Sequence, residues 1–227
     1  MKTKQAGFTL VEIAIVLVII GLLLGGILKG QEMITQAKIK NVVNDFNGIT
    51  AAVNSYQDRY RALPGDDLNA STRWVAQGAL SGDGNGVFCT GACTATPPSY
   101  NNSVATTAAA PEVNLFWWHL RLAGFVGGTT ASGAGSSASQ PSNAANGIMG
   151  VQTTGMGFTS NIVCSSNLPD KIAIAVDTQM DDGTSTTGQV RGLVQTGPNP
   201  STPAANAAPT VAYAETGQNQ YLLCKNL

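Results

Sequence analysis

The chain has 227 residues and a formal net charge of −1. This length allows one domain with a hydrophobic core, and the near-neutral charge gives no general electrostatic attraction to nucleic acid or anionic lipid. Residues 1–61 carry seven Lys or Arg and four Asp or Glu, a net of +3, whereas residues 62–227 carry five and nine, a net of −4. We therefore predict no nucleic-acid partner.

The first element is a short basic prefix followed by an apolar run. The prefix MKTKQAG contains Lys2 and Lys4, and the run from Phe8 to Leu28 is apolar except for Thr9 and Glu12. About 20 apolar residues span the hydrocarbon core of a bilayer, and flanking lysines favour the cytoplasmic side. The pattern predicts a single span with a cytoplasmic N-terminus and an exported remainder.

Glu12 is the unusual residue of this run, because a charge at membrane depth is costly unless it is paired or lies near the interface. Cleavage between Gly7 and Phe8 would give Phe8 a new α-amino group, which is largely cationic at neutral pH. That amine and the Glu12 carboxylate of a neighbouring copy could neutralise each other. Glu12 is therefore a candidate group for docking copies in register.

Residues Gly7 to Glu12 read GFTLVE, and with the basic prefix and apolar run they resemble the N-terminal signature of type IV prepilins and pseudopilins. The resemblance is specific over residues 1–60 and looser beyond. It implies a leader peptide, 1–7, that a prepilin peptidase removes after Gly7, and N-methylation of Phe8. It also implies that Glu12 pairs with the Phe8 amine of a neighbouring subunit during filament assembly.

The apolar run continues into an amphipathic segment. Apolar residues recur at alternating intervals of three and four, which is typical of one helix face: Ile39, Val42, Phe46, Ile49, Val53, Tyr56 and Tyr60. Pro64-Gly65 ends the pattern. We predict one helix from Phe8 to about Tyr60, roughly 80 Å long, with a transmembrane and assembly half, 8–28, and an amphipathic half, 29–60.

Four glycines in this helix leave two alternatives open: Gly21, Gly25, Gly26 and Gly30. Each weakens a helix by up to ~1 kcal/mol relative to Ala, and Gly21 and Gly25 form a G-x-x-x-G pattern that permits close helix packing in membranes. Many major pilins have a helix-breaking Pro where this chain has Lys29. The helix either melts around the glycines in a filament or stays continuous, as in pseudopilins.

The remainder, 61–227, is predicted to be one extracytoplasmic globular head. Residues 111–128 predict a helix whose aromatic residues favour core packing over a ligand platform, and His119 is expected to be structural or exposed. Residues 169–183 fit a helix or a strand, and the flanking Pro and Gly favour the helix. Strands are predicted at four segments: Ile148–Val151, Phe158–Cys164, Gln189–Gln195 and Tyr221–Cys224.

The predicted fold class is α+β and type IV pilin-like. The long N-terminal helix would pack on a small antiparallel β-sheet head, with extra short helices and long loops. The loops include a low-complexity segment, 128–147, and a Pro-rich segment, 197–209. The four cysteines lack metal-site spacing, and export favours two disulfides over a zinc site. Three pairings are possible, of which proximity in sequence favours Cys89–Cys93 and leaves Cys164–Cys224.

Recognised catalytic motifs are absent from the sequence: it has no GxSxG, no HExxH and no P-loop, and we predict no enzyme activity. No cofactor is expected, with one exception. Asp177, Asp181 and Asp182 precede a glycine turn, and oxygen-rich loops can bind Ca²⁺. The same pattern also fits ordinary turn-capping aspartates, so a calcium site there is one of two readings.

The predicted function is that of a structural subunit of a type IV pilus, a major or minor pilin that polymerises through its apolar helix. Its expected partners are copies of itself, the prepilin peptidase, inner-membrane pilus or secretion assembly machinery, and membrane lipid before assembly. It would reside in the bacterial inner membrane and then in an extracellular pilus. Two alternatives remain: a pseudopilin of type II secretion in a periplasmic filament, and a membrane-anchored adhesin or binding module that does not polymerise.

Overall fold

A computed structural model describes the chain over residues 9–89, 99–102, 111–131, 138–202 and 207–227. The packing divides the chain into two compact units, Met1–Lys38 and Ile39–Leu227. Gly7, Phe8 and Cys93 lie outside the described residues, so the sequence predictions that concern them stay predictions.

The first element, α1, is a single α-helix over Leu10–Tyr60, 51 residues long. It confirms the predicted long helix and is continuous through Gly25, Gly26 and Lys29. The structure is that of a single chain, so local melting of α1 in a filament stays a prediction.

The C-terminal part of α1 supplies one side of the core of the second unit. Its buried residues follow the predicted three-four spacing: Ile39, Val42, Phe46, Ile49, Ala52, Val53 and Tyr56. Tyr60, the last residue of the predicted stripe, is partly buried against the same core. Burial of large apolar side chains stabilises a fold by roughly 1.5–3 kcal/mol each, so this stripe holds the helix in the head.

The sheet has four antiparallel strands in the order β1-β2-β4-β3. Their bounds are β1 Met149–Gly155, β2 Phe158–Pro169, β3 Val190–Val194 and β4 Gln220–Asn226. All four predicted strands exist, although β1, β2 and β4 extend beyond their predicted ends and β3 is one residue shorter at each end. Met156 and Gly157, with φ of 55° and 78°, form the two-residue turn between β1 and β2, and positive φ at both positions suits the twist of paired strands.

Each face of the sheet is buried, as the period-two alternation along β2 and β4 shows. Val163 and Leu223 lie in the core cluster that contains the α1 stripe. Their neighbours Cys164 and Leu222 lie in a second cluster, which Tyr100 covers together with other apolar residues. Tyr100, from the described segment 99–102, therefore packs on the face of the sheet that α1 leaves uncovered.

Three shorter α-helices complete the described structure: α2 Ala70–Arg73, α3 Glu112–Leu122 and α4 Asp170–Met180. The sequence did not predict α2, nor the 3₁₀ turn Val75–Gln77 that follows it. The helix predicted within 111–128 is α3, which ends at Leu122, and Gly124, a residue that can terminate a helix, adopts a left-handed φ of 78° just beyond it. The segment 169–183, for which the sequence favoured a helix over a strand, forms the helix α4, and this prediction is confirmed.

His119 of α3 is fully buried and connects three segments of the head. Its Nδ1 accepts a hydrogen bond from Gly65 N–H at 2.9 Å, and its Nε2 lies 2.8 Å from the Leu80 carbonyl oxygen. This pattern requires the neutral tautomer with the proton on Nε2. Burial lowers the pKa of His119 to about 4, so the imidazole remains neutral when the head is folded.

A buried carboxylate, that of Asp67, connects the end of α1 to the turn that follows it. Asp67 accepts hydrogen bonds from the Tyr56 hydroxyl at 2.7 Å and from the Arg73 guanidinium. Burial alone would raise the pKa of Asp67, but these two hydrogen bonds and one from Asn69 N–H lower it overall. The paired charge holds the start of the loop region against α1.

A disulfide joins Cys164 of β2 to Cys224 of β4, as predicted. The two residues are direct partners in the strand register and are fully buried. Cys89 is also disulfide-bonded, but the predicted pairing with Cys93 involves a residue outside the described ranges. The Cys164–Cys224 bond closes a loop over a sequence separation of 60 residues.

We expect acid to destabilise the head through His119. The unfolded imidazole binds a proton near its ordinary pKa of 6.5, and the folded one only near 4, so stability falls as the pH decreases from about 6.5 to 4. His119→Gln keeps one donor and one acceptor without a titrating ring. The unfolding free energy of wild type relative to H119Q, measured in urea at several pH values, should fall across this window; a constant difference would contradict the assignment.

We also expect the Cys164→Ala, Cys224→Ala double variant to lose about 4 kcal/mol of unfolding free energy, the value that the chain-entropy model gives for a loop of this size. Urea unfolding of the full chain under oxidising conditions measures the difference while the other two cysteines remain unchanged. A loss below about 1 kcal/mol would show that the strand pairing alone holds β2 to β4.

Candidate assembly site

The N-terminal part of α1 exposes apolar side chains around its whole circumference. Leu10 is 89% exposed, and every large apolar residue from there to Leu28 is at least 46% exposed. The helix is long and apolar enough to cross a membrane, and none of its most apolar window is buried. A Cβ added at Gly21 or Gly25 would meet no atom within 4 Å, so the small-residue positions are also open.

Glu12 forms a capping box with Thr9 at the start of this surface. Its Oε2 accepts hydrogen bonds from the Thr9 backbone N–H and from the Thr9 hydroxyl, both at 2.8 Å. In return, Glu12 N–H lies 3.3 Å from Thr9 Oγ1. A Thr at the N-cap and a Glu three residues later satisfy two backbone N–H groups that a helix start leaves unpaired.

The capping box gives Glu12 a local structural role that the sequence interpretation missed. The signal was present, since T-x-x-E before an apolar run is a known helix-start pattern. Hydrogen bonds from Thr9 solvate the carboxylate but carry no positive charge, so they do not neutralise it. The predicted partner of Glu12 is the amine of Phe8 in a neighbouring copy, and Phe8 lies outside the described ranges, so this pairing is untested.

The second predicted site, Asp177, Asp181 and Asp182, is brought together in the head. One carboxylate oxygen from each lies within 4.8 Å of the others. Each carboxylate also accepts hydrogen bonds from its own loop region. The donors are Tyr213 and Gly183 for Asp177, Gln189 and Val190 for Asp181, and Thr184 and Thr187 for Asp182. The geometry admits both readings, a calcium site and a turn held by aspartates, and calcium there stays a prediction.

The fold and the N-terminal segment together define a class of protein. A long helix whose second half packs on a small antiparallel sheet, with short helices and loops, is the α+β arrangement of type IV pilin-like proteins. Residues 2–28 match the family described as the prokaryotic N-terminal methylation motif, which is the type IV prepilin signature. Neither the curated proteins nor the solved structures gave a match to this chain.

The matched segment coincides with the exposed apolar surface. It contains Thr9 and Glu12 and ends at Leu28, within the part of α1 where the large apolar side chains are uncovered. The prepilin motif implies processing by a prepilin peptidase and a role in filament assembly in general, and with the apolar helix it indicates membrane anchoring. The family match and the exposed apolar surface therefore coincide in the N-terminal part of α1.

Proposed function

We propose that the chain is a structural subunit of a type IV pilus, either a major or a minor pilin, that polymerises through the N-terminal part of α1. The carrying observation is the apolar surface from Leu10 to Leu28, exposed on all sides and coincident with the prepilin signature. Before assembly the surface would be covered by lipid of the inner membrane. In the filament it would be covered by the same surface of other copies, with the heads outside.

The driving force in this proposal is the exchange of lipid contacts for close helix packing, which small residues such as Gly21 and Gly25 favour in membranes. Glu12 sets the axial register by pairing with the amine of Phe8 in a neighbouring subunit. The capping box uses Glu12 Oε2 to satisfy backbone groups, whereas the pairing neutralises the charge of the carboxylate. The two roles are compatible, because an ionised carboxylate has about four lone-pair sites.

Catalysis has no part in this proposal, since proteins that carry the pilin motif are structural subunits. The partners that it requires are other copies, the prepilin peptidase and the assembly machinery of the inner membrane. The N-terminus of the precursor would be cytoplasmic, where Lys2 and Lys4 favour retention.

We expect the mature protein to begin at N-methylated Phe8. Purification from membranes of a host that expresses the cognate prepilin peptidase, followed by N-terminal sequencing and intact mass measurement, tests this. A peptidase-deficient strain is the matched control and should yield protein that begins at Met1. Retention of Met1 in the presence of the peptidase would contradict the proposal and favour the membrane-anchored binding module that does not polymerise.

Three variants separate the charge of Glu12 from its capping role. Glu12→Gln removes the charge but keeps an oxygen that can accept from Thr9, Thr9→Val removes the cap but keeps the charge, and Glu12→Ala removes both. We expect E12Q and E12A to insert in the membrane and to reduce filament yield at least tenfold. T9V should cost about 1 kcal/mol of local helix stability and retain most of the yield.

The yield is measured by immunoblotting of sheared filaments against the membrane pool of subunit. Normal yield from E12Q together with poor yield from T9V would show that capping, not charge pairing, is the function of Glu12. Electron microscopy of the same preparations decides between filament classes. Long filaments sheared from the cell surface support a pilus, and short filaments retained in the periplasm favour a type II secretion pseudopilin.

A further inference from the structure

A second group of carboxylates lies in the head, in the turn that follows α1. We name Asp66, Asp83 and Glu112 the loop carboxylate cluster. One oxygen from each residue lies within 4.8 Å of the others. Asp66 is 4% exposed and Glu112 is 1% exposed, while Asp83 is half-buried.

The backbone brings these residues together from three separate segments. Asp66 follows the end of α1, Asp83 lies in the SGDGNG loop, and Glu112 is the first residue of α3. The approach is close, because a Cβ added at Gly82 would lie 2.4 Å from Asp66 Cα, and one at Gly65 would lie 2.6 Å from the Glu112 carbonyl oxygen. Only glycine at these positions permits the three carboxylates to converge.

One carboxylate oxygen of Glu112 lacks a partner within the described part of the head. Its Oε1 accepts a hydrogen bond from Asp83 N–H at 2.9 Å, whereas its Oε2 is buried and has no hydrogen-bond partner among the described residues. A buried carboxylate oxygen without a partner is costly. Neither Asp66 nor Glu112 takes part in any of the ion pairs of the described residues, which are Lys29–Glu32, Asp58–Arg61 and Asp67–Arg73.

The surroundings of Asp66 fix its carboxylate in position. Oδ1 accepts from Gly84 N–H at 2.6 Å and from Asn85 N–H at 3.0 Å, and Oδ2 accepts from Gly86 N–H at 2.6 Å. These donors orient the group without supplying a formal positive charge. Asp66, Gly84 and Gly86 also line a surface depression, so the cluster borders the surface on the side of Asp66.

Electrostatics within the cluster favour a cation. The pKa of Glu112 is raised to about 7, mainly by burial and further by the negative charges of Asp66 and Asp83. Burial is also the main cause that raises the pKa of Asp66. A divalent cation between the three groups would offset both effects, because it compensates the desolvated charges and supplies Glu112 Oε2 with a partner.

We propose that the loop carboxylate cluster is a calcium-binding site, with Asp66, Asp83 and Glu112 as its protein ligands. Hard cations bind oxygen ligands, and Ca²⁺ accepts several carboxylates in flexible geometry, whereas Mg²⁺ demands a near-ideal octahedron and retains most of its waters. The bound ion joins the end of α1, the SGDGNG loop and the start of α3. The site is distinct from the Asp177, Asp181 and Asp182 group.

The test uses the full chain in detergent micelles after treatment with EGTA. Addition of 1 mM CaCl2 should raise the thermal midpoint by about 5–10 °C, which corresponds to saturation at roughly 100 times the dissociation constant. Calorimetric titration with CaCl2 should show a site that is lost in Glu112→Gln and weakened at least tenfold in Asp83→Asn. Both variants should lose most of the calcium-dependent shift.

Two controls make the result specific. Asp182→Asn changes the other acidic group and should retain the full shift. In EGTA, E112Q should be at least as stable as wild type, because a neutral amide replaces a carboxylate that its neighbours repel. The proposal is overturned if wild type shows no shift, if MgCl2 gives an equal shift, if E112Q keeps the shift, or if only D182N loses it. Lower stability of E112Q in EGTA would likewise assign Glu112 a role that needs no ion.

Discussion

The structure depends on one constraint, the apolar surface of α1 from Leu10 to Leu28. None of the described parts of the chain covers the most apolar window of this helix, and exposure of apolar area to water costs roughly 25 cal/mol per Å². The surface is therefore stable only against lipid or against other protein surfaces of the same kind. The capping box follows from the same constraint, because a helix start in an apolar medium must satisfy its own backbone N–H groups.

The same helix also organises the head, because from Ile39 onward its buried apolar residues form a single stripe. From there the three-four stripe meets β2 and β4 in a single core. The far end of α1 is then fixed by Tyr56, which donates to Asp67. One continuous helix thus contributes to both compact units, and its buried stripe begins at Ile39, the first residue of the second unit.

The periodic parts of the molecule were predictable from the sequence, and the turns were not. The stripe from Ile39 to Tyr56 buries one face of α1 in a regular repeat, and the four strands are short apolar segments, both of which local sequence records. For α4 the sequence fitted a helix or a strand, and the flanking Pro and Gly favoured the helix. By contrast, α2 has only four residues and carries no such repeat. The position of His119 between Gly65 and Leu80 depends on contacts 54 and 39 residues away. The convergence of Asp66 and Glu112 likewise depends on contacts between residues that are far apart in the sequence.

Charge is scarce in the head, and three of its buried titratable groups differ in how the cost of burial is compensated. His119 stays neutral because burial lowers its pKa, and Asp67 stays ionised because Arg73 and Tyr56 donate to it. For Glu112 the compensation is incomplete, because one of its carboxylate oxygens is buried without a hydrogen-bond partner in the part of the chain that the structure describes. The three residues lie around one junction, where α1 ends and α3 begins. A head with few charges gains most from a cation there, because the ion would join segments that no sheet hydrogen bond connects.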